Sequence, residues 1–422
     1  MIVGGAVRVP GDKSITHRAL LFAALAGGRS HIGGALTSLD AKSSARVLRA
    51  LGTTISPLMP GRVVSVIGRK RFVRPADVLD CGNSGTTTRL LLGLLAGHSF
   101  KATLTGDASL RRRPMRRVTG PLTQMGARFE ELAGRDGLPL AVRGGKLAAL
   151  TYEQPVSSAQ IKSSLLLAGV AAGVPMHIRE PQGRSRDHSE RMLRAFGYLV
   201  EDGQEGWIHF EPTGRLEPFD LQVPGDPSSA AFLVGAATLA TAGELRLSGV
   251  GVNPTRIGFL TVLARMGGEV HREAPGEEGG EPVADLIVRP APLRATEVSA
   301  GEIPGLIDEI PLLAVLAARA EGTTIFREVG ELRVKESDRL GLIAENLRAV
   351  GMLAEVVGED LHVTGTDRPP AGKVRTEGDH RIAMAFAVLG TLPGAKVKVD
   401  DMACAAVSFP GFAKVLRSIS AK

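Results

Sequence analysis

The strongest constraint on the fold is a recurrence. Six times a small, polar or Gly-rich opening runs into a mostly apolar helical stretch: GDKSITHRALLFAALAGG from Gly11, GNSGTTTRLLLGLLAG from Gly82, VSSAQIKSSLLLAGVAAG from Val156, GDPSSAAFLVGAATLATAG from Gly225, IDEIPLLAVLAARAEG from Ile307 and DHRIAMAFAVLG from Asp379. The starts lie about 70 to 80 residues apart, as in a chain built from like units. Asp, Ser or Thr at each opening can accept the first unpaired N–H groups, and most stretches run out into Gly, so the helices have readable ends. Leu, Ala, Val and Ile surround nearly the whole circumference, which predicts buried helices rather than surface ones.

Between them lie β-like runs bounded by Gly and Pro, such as Val63 to Ile67, Leu286 to Val288 and Val397 to Val399. Second, more amphipathic helices are predicted over Ser43 to Leu51, Met115 to Met125, Ser189 to Phe196 and Leu340 to Val350, each followed by Gly. One unit therefore reads as strands with two helices, an α/β pattern. The fourth opens with Pro224-Gly225-Asp226-Pro227-Ser228, echoing Pro10-Gly11-Asp12-Lys13-Ser14, and splits the chain into two halves of three units near Gly225. A solenoid is the competing arrangement. Against it stand the lack of a short fixed period and the chemically specialised helix starts.

At 422 residues the chain is long enough for two or three domains, and 44% hydrophobic with 23% charged residues is an ordinary globular composition. No apolar run reaches the roughly 18 to 20 residues of a membrane span. The opening MIVGGAVRVPGDKS lacks a basic region followed by an apolar one, so no signal peptide is expected. Cys81 and Cys404 have neither CxxC nor metal-ligand spacing, and a reducing cytoplasm is the expected compartment. The net charge of +7 suits an anionic partner. With one Trp, two Tyr and no basic tail, the case for a nucleic-acid stacking platform is weak, and small phosphorylated substrates fit better.

Helix N-termini are ready anion sites, and here several carry cations or hydrogen-bonding side chains. The first has Lys13, Ser14 and Arg18; the second Asn83, Gly85, Thr86 and Arg89; the third Ser157, Ser158 and Gln160; the last His380 and Arg381. Arg at a helix start opposes the dipole, so its recurrence points to binding. Taken singly, Lys13 or Arg89 reads equally as a solvated or ion-paired side chain, and Ser-Ser as a cap. Arg111-Arg112-Arg113-Pro114-Met115 reads either as a solvated turn or as a binding loop. Arg333 to Arg339, RVKESDR, reads either as an ion-paired helix start or as a site. Asp308 and Glu309 interrupt an apolar helix start, where a carboxylate near arginines could act as a base.

Ten segments in one order resemble the 5-enolpyruvylshikimate-3-phosphate synthase family: GDKSITHRALLFAALA, GNSGTTTRLL, GDASLRRRPM, SSAQIKSSLLLAG, SRDHSERML, GDPSSAAFL, IDEIPLLAVLAA, RVKESDRL, DHRIAMAF and SFPGF. The resemblance runs from about Val9 to Phe412. It implies the two-domain enolpyruvyl transferase fold, an inside-out α/β barrel of six βαβαββ units, three per domain. The domains would be 12–225 and 226–422 with 1–11, with hinge crossings near 11–12 and 224–226. It also implies enolpyruvyl transfer from phosphoenolpyruvate to the 5-hydroxyl of shikimate 3-phosphate, by addition and elimination, in a cytoplasmic monomer that needs no metal or cofactor.

By the same resemblance, Lys13, Ser14 and Arg18 would hold shikimate 3-phosphate, with Lys13 also reaching phosphoenolpyruvate. Ser158, Ser185 and Arg186 would take the shikimate phosphate, and Gln160 would lie between the substrates. Gly85 and Arg113 would hold the phosphate of phosphoenolpyruvate, and Arg339 and Arg381 its carboxylate. Asp308 would be the base for the 5-hydroxyl, with Lys335 beside it, and Glu336 the acid at the methylene carbon. Asn83, Thr86, Arg89 and His380 are further candidates. The chain departs from one subgroup's pattern at Val407, where that subgroup has a phosphate-binding Lys, and at Glu331, where it has an Asn. Arg-Asp-His-Ser-Glu and Asn253-Pro254-Thr255-Arg256 match the class II subgroup instead. Glyphosate is the expected inhibitor, and Gly85, where a tolerant type has Ala, implies moderate tolerance. A related family acting on a UDP-amino sugar uses a mobile-loop Cys as acid, and Arg111 to Pro114 has none. A basic nucleic-acid-binding protein is the reading from another class.

Overall fold

In the computed structural model, which describes residues 1–181 and 183–420, the six apolar stretches are helices. They span Lys13–Leu25, Gly85–Ala96, Ala159–Ala172, Pro227–Thr238, Ile310–Ala317 and His380–Leu389. Four begin on a side-chain cap that satisfies one otherwise unpaired donor. Asp12 accepts from the Ile15 N–H at 2.8 Å, Ser84 from Thr87 at 3.2 Å, Asp226 from Ser228 at 2.7 Å and Asp379 from Arg381 at 2.9 Å. Every residue of Pro227–Thr238 and of Ile310–Ala317 is buried, as an apolar circumference requires.

The four amphipathic helices predicted from sequence span Leu39–Ala50, Arg116–Gln124, His188–Ala195 and Arg339–Ala349. The first starts earlier than Ser43, the start predicted from sequence, because Asp40 sits in its first turn, where the dipole favours a carboxylate. The segment before Arg339 also differs from a continuous helix start. Gly330–Val334 is a 3-10 turn, and the α-helix begins only after Asp338, whose carboxylate caps Gly341 at 3.0 Å.

Contacts divide the chain into two compact units. One comprises Gly11–Val223 with Glu278–Glu281; the other comprises Met1–Pro10, Pro224–Glu277 and the chain from Pro282 onward. In the Gly11–Val223 unit, three four-stranded sheets repeat one pattern: a parallel pair, then two antiparallel steps. Asp220–Gln222 lies parallel to Arg29–Gly33, which pairs antiparallel with Val64–Ile67 and through it with Thr54–Ile55. The sheets that start on Leu79–Asp80 and on Leu150–Glu153 repeat this order. The three core helices of this unit share one apolar cluster, to which they contribute the fully buried Leu20, Leu91 and Leu166.

In the other unit the N-terminal strand Ala6–Val7 lies parallel to Leu245–Gly251, which pairs antiparallel with Glu281–Arg289. Glu297–Val298, Thr323–Phe326, Asp360–Thr364 and Leu353–Val357 form a second four-stranded sheet. The sixth unit departs from the expected βαβαββ. Among the described residues its sheet holds only the parallel pair Ala371–Val374 and Lys396–Val399. The chain then turns into the 3-10 segment Ala403–Val407 and the helix Phe412–Ser418. Phe409 and Phe412, both buried, stack edge-on and carry this segment into the core against Phe232.

Candidate active site

Within the Gly11–Val223 unit the structure gathers the predicted residues at helix starts. Lys13, at the first turn of its helix, pairs with Asp40 at 3.1 Å. Arg18, one turn on, is 3% exposed; its Nε donates to Ser189 Oγ at 2.7 Å, Nη2 to Ser163 Oγ at 2.6 Å and Nη1 to the Ser14 carbonyl at 3.0 Å. Three of its five N–H groups are so engaged. Burial lowers the Arg18 pKa to about 10, against the opposing charges of Glu190 and Asp12, and it stays cationic at neutral pH.

The second helix start forms a compact polar group. Arg89 Nη1 donates to Gln160 Oε1, and Gln160 Nε2 donates to Thr86 Oγ1 at 3.2 Å. Arg113 donates to Asn83 Oδ1 at 2.8 Å, and Asn83 in turn donates to Asp107 at 2.6 Å. Of the three consecutive arginines, Arg113 is buried while Arg111 and Arg112 are exposed. Gly85 lies beneath both buried guanidinium groups: a Cβ there would stand 3.1 Å from Arg113 Nη1 and 3.3 Å from Arg89 Nη1. Ser158 is half-buried, its N–H donating to Gln154 Oε1 at 3.0 Å. Ser185 is buried and Arg186 half-buried, both in the segment leading into the helix His188–Ala195.

The other unit assembles a separate cluster. Arg339, fully buried, lies 2.8 Å from Asp379 Oδ2, 2.7 Å from Glu336 Oε2 and 3.3 Å from Asp308 Oδ1. Burial opposes its charge, but the carboxylates of Asp379, Glu336 and Asp308 outweigh that and raise its pKa. Burial likewise opposes the charge of Asp379, and Arg339 and His380 hold its carboxyl below the usual range. Arg381 reaches Asp308 Oδ2 at 3.4 Å and Glu309 Oε1 at 3.3 Å. The Lys335 pKa is lowered by burial, with Asp308, Glu331 and Glu336 acting in the opposite direction. Glu331 Oε1 lies 3.7 Å from Lys335 Nζ, so the residue replacing the subgroup's Asn engages that lysine. Val407 is half-buried in its 3-10 turn and offers no charge.

Sequence reasoning missed these pairings: Asp40 with Lys13, Glu309 with Arg381, Asp379 with Arg339, and the buried Lys162 with Glu180. The partners lie 18 to 72 positions apart, or sit inside capping or apolar patterns that already explain them. Cys81 is 0% exposed and its thiol is pushed up to about 11, chiefly by burial, so it presents no acid to a ligand.

Cationic helix starts suit phosphate, and acid–base carboxylates held by arginines suit proton transfer next to a bound carboxylate. Each cluster by itself suits the binding of a small anion. The family model for EPSP synthase (3-phosphoshikimate 1-carboxyvinyltransferase) matches residues 2–416, and the chain belongs to that family. A 3-phosphoshikimate 1-carboxyvinyltransferase of Citrifermentans bemidjiense is 45% identical over 419 residues, covering 99% of this chain and 97% of its own. One from a Synechococcus species is 49% identical over 418 residues, covering 97% and 95%. The structure of EPSP synthase from Acinetobacter baumannii superposes with a TM-score of 0.87 at 36% identity, covering 99% of this chain and 96% of that one. The enolpyruvyl transferase NikO from Streptomyces tendae, at 19% identity and a TM-score of 0.78 over 100% and 96% of the two chains, shares the fold.

Proposed function

We infer that this chain transfers the 1-carboxyvinyl group of phosphoenolpyruvate to the 5-hydroxyl of shikimate 3-phosphate, releasing phosphate, in the shikimate pathway to aromatic amino acids. The observation that carries this reading is the family match over residues 2–416. Lys13, Ser14, Arg18, Ser158, Ser185 and Arg186 hold shikimate 3-phosphate. Gly85 and Arg113 take the phosphate of phosphoenolpyruvate, Arg339 and Arg381 its carboxylate, and Gln160 lies at both substrates.

Asp308 removes the proton of the 5-hydroxyl as that oxygen bonds to C2 of phosphoenolpyruvate, while Glu336 delivers a proton to C3, making it a methyl group. The ion pair of Glu336 with Arg339 supports this role. A substrate carboxylate arriving at Arg339 competes for the guanidinium, weakens its hold on Glu336 and so raises that group's affinity for a proton. In the elimination Glu336 takes a proton back from the methyl group as the C2–O bond to phosphate breaks. Binding of two polyanions by fixed cations supplies orientation and electrostatic stabilisation.

The reading extends to inhibition by glyphosate, a monomeric state and a cytoplasmic location; no described helix is long and apolar enough to cross a membrane. The mechanism is tested by running the reaction in D2O. Because C3 becomes a methyl group that rotates before losing a proton, deuterium is expected in the methylene of the product. A product free of deuterium would contradict addition and elimination.

A further inference from the structure

Lys162 lies inside the apolar helix Ala159–Ala172 with none of its side chain exposed. Its ammonium stands 2.7 Å from Glu180 Oε2 and 2.7 Å from Glu190 Oε1, both carboxylates buried. Burial works against the charge of Lys162, but Glu190 and Glu180 outweigh it and raise its pKa, so the ammonium persists. Taking these ions out of water is costly even when they are paired, and apolar residues in place of all three would pack as well. The cluster is therefore a poor device for stability alone.

What it does hold is Ser185. The Ser185 hydroxyl donates to Glu180 Oε1, its N–H donates to Glu180 Oε2 at 3.2 Å, and its carbonyl accepts from Lys162 Nζ at 3.3 Å. All three polar groups of one residue are thus gripped by one buried ion pair. The neighbouring helix starts are already tied together by another strap. Ser189 Oγ donates to Ser163 Oγ at 2.7 Å, and Arg18 donates to both hydroxyls. The distinctive product of the Lys162–Glu180 pair is the placement of Ser185.

We propose that Glu180, anchored by Lys162, is a positioning residue that fixes Ser185 as a ligand for the phosphate of shikimate 3-phosphate. The inference rests on the assignment of Ser185 to that phosphate. When the phosphate arrives, the Ser185 hydroxyl turns from Glu180 Oε1 to a phosphate oxygen, since a hydroxyl has one proton to donate. Glu180 keeps Lys162 Nζ and the Ser185 N–H, so its charge stays paired and the Ser185 backbone stays in place.

The test is a double-mutant cycle between Glu180→Gln and Ser185→Ala, read as KM for each substrate in a phosphate-release assay. Ser185→Ala and Glu180→Gln should each raise KM for shikimate 3-phosphate roughly tenfold and leave KM for phosphoenolpyruvate within about twofold. In the Ser185→Ala background, Glu180→Gln should add almost nothing. Glu180→Asp keeps the charge beside Lys162 and withdraws the carboxylate from Ser185, so it should also raise KM for shikimate 3-phosphate if Glu180→Gln does not fold. A Ser185→Ala effect with Glu180 variants silent, or with additive losses, overturns the positioning role alone. A silent Ser185→Ala overturns the assignment of Ser185, and this inference with it.

Discussion

Arg339 Nη1 lies 3.3 Å from Asp308 Oδ1, and Arg381 Nη2 stands 3.4 Å from Oδ2, so one carboxylate is held between two guanidinium groups. In the proposed mechanism a substrate carboxylate entering between the arginines would displace them from Asp308 and leave it a base. Asp308→Ala and Glu336→Ala should each lower kcat by about two orders of magnitude or more while both substrates still bind. Steady-state kinetics check this, and near-normal turnover in either variant removes that residue from the chemistry.

The same pair separates Arg from Lys. Arg381→Lys keeps the charge but loses the planar fork that can grip a carboxylate while still reaching Asp308 and Glu309. KM for phosphoenolpyruvate should rise by about tenfold or more, with KM for shikimate 3-phosphate little changed. An equal rise in both constants would show a general loss of structure instead.

Gly85 is where one added methyl group is expected to separate inhibitor from substrate. Its added Cβ would stand 3.1 Å from Arg113 and 3.3 Å from Arg89, tight enough to push both guanidinium groups by a few tenths of an ångström. Gly85→Ala should raise the inhibition constant for glyphosate by about tenfold and KM for phosphoenolpyruvate by less. Unchanged inhibition in the variant would refute the steric account.

His17 should give the fold a pH dependence. It is fully buried with Nδ1 2.7 Å from Ser44 Oγ, and burial lowers its pKa from 6.5 to about 4 despite the opposing charge of Asp40. Above pH 6.5 it is neutral in both folded and unfolded chains. Between 6.5 and about 4 only the unfolded chain binds the proton, so stability falls with pH, by about 3 kcal/mol in all. Denaturant unfolding at pH 7 and pH 4.5 should show a smaller loss for His17→Asn than for wild type; equal losses would refute the assignment.

Much of this fold was legible because its punctuation is chemical. Asp12, Ser84, Asp226 and Asp379 announce helix starts, and helices without a polar face announce burial. The cationic candidates were legible because Arg at a helix start runs against the dipole. Their partners were not. Asp379 reads as a helix cap, and it also binds Arg339 forty positions away. Lys162 sits in an apolar run whose periodicity gives no sign of two carboxylates on other elements. The strand read at Val397 to Val399 is present, but no sequence pattern shows that the chain then leaves the sheet through a 3-10 segment and a short helix, burying Phe409 between them and Phe412 at the helix start.

The most direct measurement is phosphate release with each substrate alone, with both together, and with a UDP-amino sugar in place of shikimate 3-phosphate. Phosphate should appear only when phosphoenolpyruvate and shikimate 3-phosphate are both present, one phosphate per enolpyruvyl product. Release that needs only one of them, or that the UDP-amino sugar supports equally well, would contradict the account.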